Sequence, residues 1–465
     1  MSPRASRADR RGAHPRWTLV TCILASSLSF VDGSVLNVAL PAIRASFSAG
    51  AQDVQWVVNA YLLPVSALLL LGGALGDHFG RRRLLVAGTG LFAAASLVCA
   101  LAPGLPLLLA ARGAQGIGAA LLLPNSLALL NAAFSGEQRG RAVGIWAAAG
   151  AATAAAAPLL GGWLVDAVGW PAIFYINLPL ALGAIVLALC FVEESHEAGA
   201  GRTDYPGALL VTAGLGGLTY ALTSWSATSR FSVTAAASLA AGVVLIGAFT
   251  AVERRRGSRA MLPLDLFGNR AFSGLNLLTF LLYGAFGAAM LLLPYVLISA
   301  GGYSPVEAGL AMLPLPIVMT ALSPIMGSLA ARIGPRGPLV AGPVIAGAGM
   351  VVARLITPHS SYWTSAFPAI LVMAAGMTIA VAPLTSAVLG SVEERHVAMA
   401  SGLNSAVARL GGLIATALLG SVLGRKGDAL FGGFHAAMFV SAGVAVLAGV
   451  VALAMLGKVA IKPSP

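Results

Sequence analysis

A chain of 465 residues that is 58% hydrophobic and 9% charged is not a water-soluble globule, because soluble domains carry roughly 25% charged residues. The net charge of +12 would point to nucleic acid in a soluble protein; here the basic residues lie between apolar runs, where they set membrane topology, so no nucleic-acid partner is expected. Cys22, Cys99 and Cys190 fall in apolar segments and the six histidines lack ligand spacing, which points away from both a disulfide framework and a metal site.

Apolar runs of about 20 residues recur, the length of a membrane helix rather than of a barrel strand. In chain order they predict spans at 17–41, 54–76, 84–103, 106–131, 142–165, 171–192, 205–224, 233–252, 271–297, 305–331, 338–357, 364–390, 398–423 and 434–457. The first is too long to be a cleaved signal peptide. Fourteen spans put both termini on one side. With the N-terminus inside, the outer segments hold only Arg44, Arg230, Arg425 and Lys426 of the loop Lys and Arg residues; the bias places both termini in the cytoplasm. Trp17, Trp170, Trp225 and Trp363 fall near span ends, as interfacial aromatics do. The 56 glycines allow close approach of membrane helices.

The segments "GALGDHFGRRRLLVAG" (73–88) and "GSLAARIGPRGPLVAG" (327–342) agree at eight of sixteen positions, and each joins two spans on the inner side. The expected architecture is an all-α polytopic bundle. It has an N-terminal tail (1–16), a six-helix half (17–192), an inserted pair of spans (205–252), a second six-helix half (271–457) and a C-terminal tail (458–465). Repeated halves with a site between them are a transporter arrangement. No loop is long enough for a catalytic domain, so no enzyme activity and no cofactor are expected.

Asp32 is the only acid placed well inside a span. It lies nine residues before Pro41, roughly 13 Å below the outer surface at about 1.5 Å per residue. Arg112 in the fourth span lies about 10 Å below the same surface, and Gln115, one turn on, comes level with Asp32. A charge at mid-bilayer costs about 2.5–3.5 kcal/mol on insertion scales, so these groups face a cavity or each other. Two readings stand: a proton-carrying acid, or an ion pair that orients two helices. Arg409 lies deep in the thirteenth span and meets either the cavity or a helix-end dipole; Arg354 snorkels at a span end. In the loop after the second span, Gly73 and Gly80 permit tight turns, and Arg81, Arg82 and Arg83 anchor the inner face. Asp77 there is either held at the N-terminus of the thirteenth span or part of an ordinary topogenic loop.

These motifs resemble the major facilitator superfamily, in its fourteen-helix drug:proton antiporter group, over residues 15–457. "VDGSVLNVALP" (31–41) is similar to that group's first-helix signature at Asp32, Asn37 and Pro41; the signature associates the acid with proton coupling. "GALGDHFGRRR" matches the loop motif that gates inner closure at Gly73, Leu75, Asp77, Gly80, Arg81 and Arg82. "RGAQGIGAA" (112–120) matches the fourth-helix motif at Arg112, Gln115, Gly116 and Gly118. The antiporter motif of the fifth helix matches at Gly144, Pro158, Gly161 and Gly162, while Thr153 and Ala157 stand where glycine is usual. The second loop has Ala331 opposite Asp77.

The resemblance implies a monomeric, multi-pass protein of a bacterial cell membrane. Its expected function is export of small amphipathic compounds such as antibiotics, driven by protons through Asp32 and Arg112, with no cofactor beyond the proton gradient. The same fold also serves symporters or facilitators that import nutrients. A membrane-embedded transferase would need clustered acids or histidines on a loop, and none is present. Candidate cavity residues are Asn37, Asn59, Tyr61, Gln115, Asn125, Asn276, Tyr283, Asn404 and Arg409, each otherwise a helix–helix hydrogen bonder. With one acid and two deep arginines, the cavity favours neutral, zwitterionic or anionic amphiphiles over dications.

Overall fold

The computed structural model describes residues 14–196, 204–228, 230, 232–257, 264–392 and 397–456. The terminal tails, residues 197–203 and the segment before the thirteenth span (393–396) lie outside the described residues. In chain order the α-helices are α1 (Pro15–Ser46), α2 (Ala51–Phe79), α3 (Arg81–Ala100), α4 (Leu105–Ala133), α5 (Gly136–Ala167), α6 (Ala172–Tyr175), α7 (Asn177–Phe191), α8 (Tyr205–Thr228), α9 (Val233–Arg256), α10 (Arg270–Ser299), α11 (Pro305–Met312), α12 (Pro314–Ile333), α13 (Arg336–Val352), α14 (Ala366–Gly390), α15 (Val397–Ala417), α16 (Gly420–Leu423) and α17 (Asp428–Met455). Among the described residues twelve helical stretches are long and apolar enough to cross a membrane.

Local chemistry sets the ends. Asn269 caps α10 by accepting from the Ala271 and Phe272 N–H groups, and Ser304 caps α11 in a capping box with Glu307, with Pro305 at the first helical position. Gly80 separates α2 from α3 at φ +109°, a backbone region that residues with a β-carbon rarely adopt.

The packing repeats along the chain. α1 packs on α5 and α7, α2 and α3 on α4, and α3 on α7; correspondingly α10 packs on α15 and α17, α12 and α13 on α14, and α13 on α17. Small residues make the closest approaches. A β-carbon on Gly116 of α4 would lie 2.4 Å from the Tyr61 carbonyl oxygen of α2. In the bilayer such approaches, with dispersion and interhelical hydrogen bonds, replace the hydrophobic drive of a soluble core.

Three expected spans are not single helices. The sixth is divided into α6 and α7, and the tenth into α11 and α12 where Pro314 and Pro316 follow Leu313; a proline lacks the N–H that would continue the ladder. The thirteenth breaks between α15 and α16, which frees backbone carbonyls. The Gln55 amide donates to the Thr416 and Ala417 carbonyls at 2.7 and 3.0 Å, and the Ser226 hydroxyl donates to Ala417 at 2.6 Å. Gln55 Nε2 also reaches Ser226 Oγ at 3.2 Å. Side chains from α2 and α8 thus re-satisfy the broken helix, the condition for irregular backbone in a membrane.

We call the end of the bundle where α1 finishes and α2 begins the distal face. The described hydrogen bonds between the α1–α7 and α10–α17 regions all lie there. Arg44 donates to the Tyr295 hydroxyl and, at 2.6 Å, to the Leu423 carbonyl, and Asp166 accepts from the Val306 N–H at 3.1 Å. Gln55 supplies the rest. α8 packs on α2, α15 and α16, wedged beside this closure, whereas α9 packs chiefly on α8 and turns Val243 and Val244 outward.

Candidate functional site

Asp32 on α1 and Arg112 on α4 are each 1% exposed and are paired by a 2.5 Å contact between Arg112 Nη1 and Asp32 Oδ2. The depth matching expected from the sequence therefore holds in three dimensions. The Arg112 guanidinium also donates to the Val57 carbonyl at 3.1 Å and to Gln115 Oε1 at 2.8 Å. Its Cζ lies 4.5 Å from the Tyr61 ring centroid and 5.9 Å from that of Phe174. The Gln115 amide donates to Ser96 Oγ at 2.7 Å and reaches Asp32 Oδ1 at 3.4 Å, and Asn177 of α7 joins Ser96 at 3.3 Å. The Tyr61 hydroxyl shares a 2.6 Å hydrogen bond with Ser29. A buried pair is tolerated only when it gains further hydrogen bonds; here Val57 of α2 and Gln115 of α4 supply them, with Gln115 itself held by Ser96 of α3.

Arg112 and Tyr61 border a cavity of about 440 Å³ between the two packing units. Its walls come from α1 (Gly33, Ser34, Asn37), α2, α5 (Pro158), α10 (Tyr283, Phe286, Met290), α12 and α15 (Arg409, Thr416). Of the residues expected to line it, Asn37, Tyr61, Tyr283 and Arg409 do. Gln115 stands behind Arg112 instead.

The other asparagines need correction. Asn125 donates to Gly72 of α2 at 3.0 Å and to Leu121 at 2.7 Å; it ties α4 to α2. Asn276 donates to its own helix at Phe272, and Asn404 accepts from Thr279 at 2.6 Å, joining α15 to α10. Asn125 and Asn404 thus serve helix packing, as interhelical amides do, while Asn276 is turned back onto its own helix. Asn59 follows Gln55 by four residues on α2, so it faces α8, where Gln55 meets Ser226 and Leu63 lies 3.7 Å from a β-carbon built at Gly216. Asn59 is fully buried, and neither its amide nitrogen nor its oxygen has a hydrogen-bond partner among the described residues.

The expected loop is a single-residue junction at Gly80, with Gly73 and Asp77 inside the last turns of α2; the Asp77 carboxylate accepts from Arg81 at 2.9 Å, one turn on across the junction. Gly73 makes only ordinary contact with Pro124, and a β-carbon at Gly80 would lie 2.6 Å from the Glu194 carboxyl carbon. Glu194 was not singled out in the sequence. Its carboxylate accepts from the Arg82 and Arg83 N–H groups at 2.9 and 3.2 Å, at the positive N-terminal end of α3, and Arg82 donates to the Val192 carbonyl at 3.1 Å. The segment after α7 is thereby clasped to the start of α3. Asp77→Asn is expected to slow turnover at unchanged substrate affinity, because the α2–α3 junction lies outside the cavity lining. Steady-state transport rates beside equilibrium binding check this, and normal turnover with lost affinity would contradict it.

In α5, Gly161 packs against Val35 of α1, Gly162 against the Pro305 carbonyl of α11, and Gly309 of α11 against the Pro158 carbonyl. Gly144 has no such neighbour. Asp204 and Glu253 are buried acids at the ends of α8 and α9, where Asp204 pairs with Arg256 at 2.7 Å; neither carries a motif that marks it in the sequence.

Residues 22–272 and 275–465 match the sequence profile of the Major Facilitator Superfamily. The chain belongs to that superfamily. The multidrug resistance protein Stp of Mycobacterium tuberculosis (strain CDC 1551 / Oshkosh) is 36% identical over 410 residues, covering 87% of this chain and 75% of that protein. The lincomycin resistance protein of Streptomyces lincolnensis is 36% identical over 418 residues, covering 88% and 84%. Among solved structures, an auto-inhibited POT-family peptide transporter superposes with a TM-score of 0.71 at 15% identity, covering 97% of this chain and 99% of that one; this similarity concerns the fold alone. The facilitator fold makes the chain a polytopic membrane transporter, and its cavity between repeated packing units is where such folds hold their cargo.

Proposed function

We propose that this facilitator is a proton-driven exporter of small amphipathic compounds. The single observation that carries the proton coupling is the buried Asp32–Arg112 pair at the edge of the cavity. A proton on Asp32 removes the charge that holds Nη1, leaving Arg112 to Val57 and Gln115. Protonation is thereby tied to how tightly α1 is held to α4, and α1 forms one wall of the cavity. The printed names of the relatives, multidrug resistance and lincomycin resistance, support drug efflux as the direction.

In this reading α5 and α15 also cross the bilayer, giving fourteen crossings with α6–α7, α11–α12 and α15–α16 as broken ones. The distal face is extracellular and both termini are cytoplasmic. The halves are 17–192 and 271–457, rocking about the cavity, with 205–252 inserted. The protein works as a monomer without a cofactor. Asp32 loads a proton from outside and releases it to the cytoplasm when substrate binds from within. One proton crossing the membrane potential is worth about 2.3 kcal/mol per 100 mV.

Inverted membrane vesicles loaded with acid test the direction. Substrate uptake that collapses with a protonophore is expected. Uptake into right-side-out vesicles driven by external acid would instead make the protein an importer.

A further inference from the structure

We propose that the cavity is built for amphiphiles bearing an anionic group, and that Arg409 is the residue that selects them. This rests on the exporter reading above and narrows its substrate. Two guanidinium groups border the cavity, Arg112 and Arg409. The charge of Arg112 is met inside the protein by Asp32, so the pair adds no net charge to the cavity. Arg409, half-buried on α15, has no hydrogen-bond or ion-pair partner among the described residues, and no carboxylate stands among the cavity-lining residues. The site therefore presents one uncompensated cation to its contents.

The surroundings sharpen this. Phe286, Met290, Leu315 and Met319 line the wall shared with α10 and α12. A guanidinium that is partly withdrawn from water among such groups carries a desolvation cost that no protein acceptor offsets. A carboxylate, phenolate or sulfonate of the cargo supplies the missing acceptor. A planar, permanently charged fork bonds such oxygens in pairs, which a lysine cannot reproduce. The thioethers of Met290 and Met319 adapt to varied apolar bodies. Charge is thus specified at one point and shape loosely around it, whereas a monocation would meet Arg409 as a like charge.

The driving force agrees with this assignment. Exchanging one entering proton for one leaving monoanion moves two charges down an inside-negative potential, against one for a neutral cargo and none for a monocation. With Asp32 as the sole coupling acid, an anionic cargo gains most from each turnover.

The test uses the full-length purified protein and three naphthalene probes that differ in one group: a carboxylate, its methyl ester and the corresponding ammonium. Wild type is expected to bind the carboxylate about tenfold or more tighter than the ester, the scale of a charge-assisted hydrogen bond, and the ammonium weakest. Arg409→Gln is expected to bring the ratio of carboxylate to ester affinity down to about one, and Arg409→Lys to keep part of the preference. In proteoliposomes, an imposed inside-negative potential should stimulate carboxylate export more than ester export. Equal or weaker carboxylate binding by wild type overturns the proposal, and so does a preference that survives in Arg409→Gln. The wild-type comparison needs no variant to fold. A pump that exports the ester or the ammonium well but not the carboxylate would remove the anion assignment and leave the exporter reading standing; loss of all proton-driven export would remove the exporter reading itself.

Discussion

Replacing Asp32 by asparagine is expected to abolish substrate-linked proton flux while leaving the folded protein in place. Asparagine keeps the volume and an oxygen that can accept from Arg112, but it cannot load and release a proton. The arginine is not stranded, because Val57, Gln115 and the Tyr61 ring still hold it. Removing one partner of a buried pair outright costs about 3–5 kcal/mol, so Asp32→Ala would confuse lost coupling with lost fold. The informative measurement is proton release from reconstituted vesicles, read as lumenal alkalinisation on adding substrate outside, alongside thermal unfolding of the same preparation. Coupled transport at the normal rate in Asp32→Asn would take Asp32 out of the mechanism and leave it as a brace between α1 and α4.

A second large effect is expected at Gly162. Its absent side chain lets α5 and α11 touch: a β-carbon there would lie 2.3 Å from the Pro305 carbonyl oxygen, and one at Gly309 would lie 2.4 Å from that of Pro158. The obstacles are backbone atoms, which cannot swing aside as a side-chain tip can. Gly162→Val therefore holds the two helices apart at the distal face, for an overpacking cost of about 1–3 kcal/mol. Transport should be lost although the protein is made, and a cysteine placed at the cavity-lining Asn37 should become more reactive to membrane-impermeant reagents from the distal side. Unchanged transport and labelling would show that the interlock is not required for closure.

Much of this was legible in the residues. Hydropathy placed each helix region, and helix rise alone brought Asp32, Arg112 and Gln115 to one depth, because membrane helices are long, roughly straight and bounded by known planes. The family motif singled out Gly161 and Gly162 without saying what they touch. The asparagines were harder: a polar residue in an apolar run looks the same whether it meets cargo or a neighbouring helix, and only rotation about the helix axis separates Asn37 from Asn59, Asn125 and Asn276. The break between α15 and α16 was hidden because "TALLGSVLG" stays apolar and contains no proline. Its support comes from Gln55 and Ser226, more than 150 residues apart in sequence. Glu194 was equally hidden, since its role depends on the chain returning to the start of α3.

Ser226 belongs to α8, yet it holds a carbonyl of α15 and an amide of α2. The seal over the cavity is therefore anchored partly in a helix whose other neighbour, α9, presents its flank to the surrounding lipid. Removing α8 and α9 would therefore not leave the rest of the bundle intact; it would leave the broken α15–α16 junction without its partner Ser226.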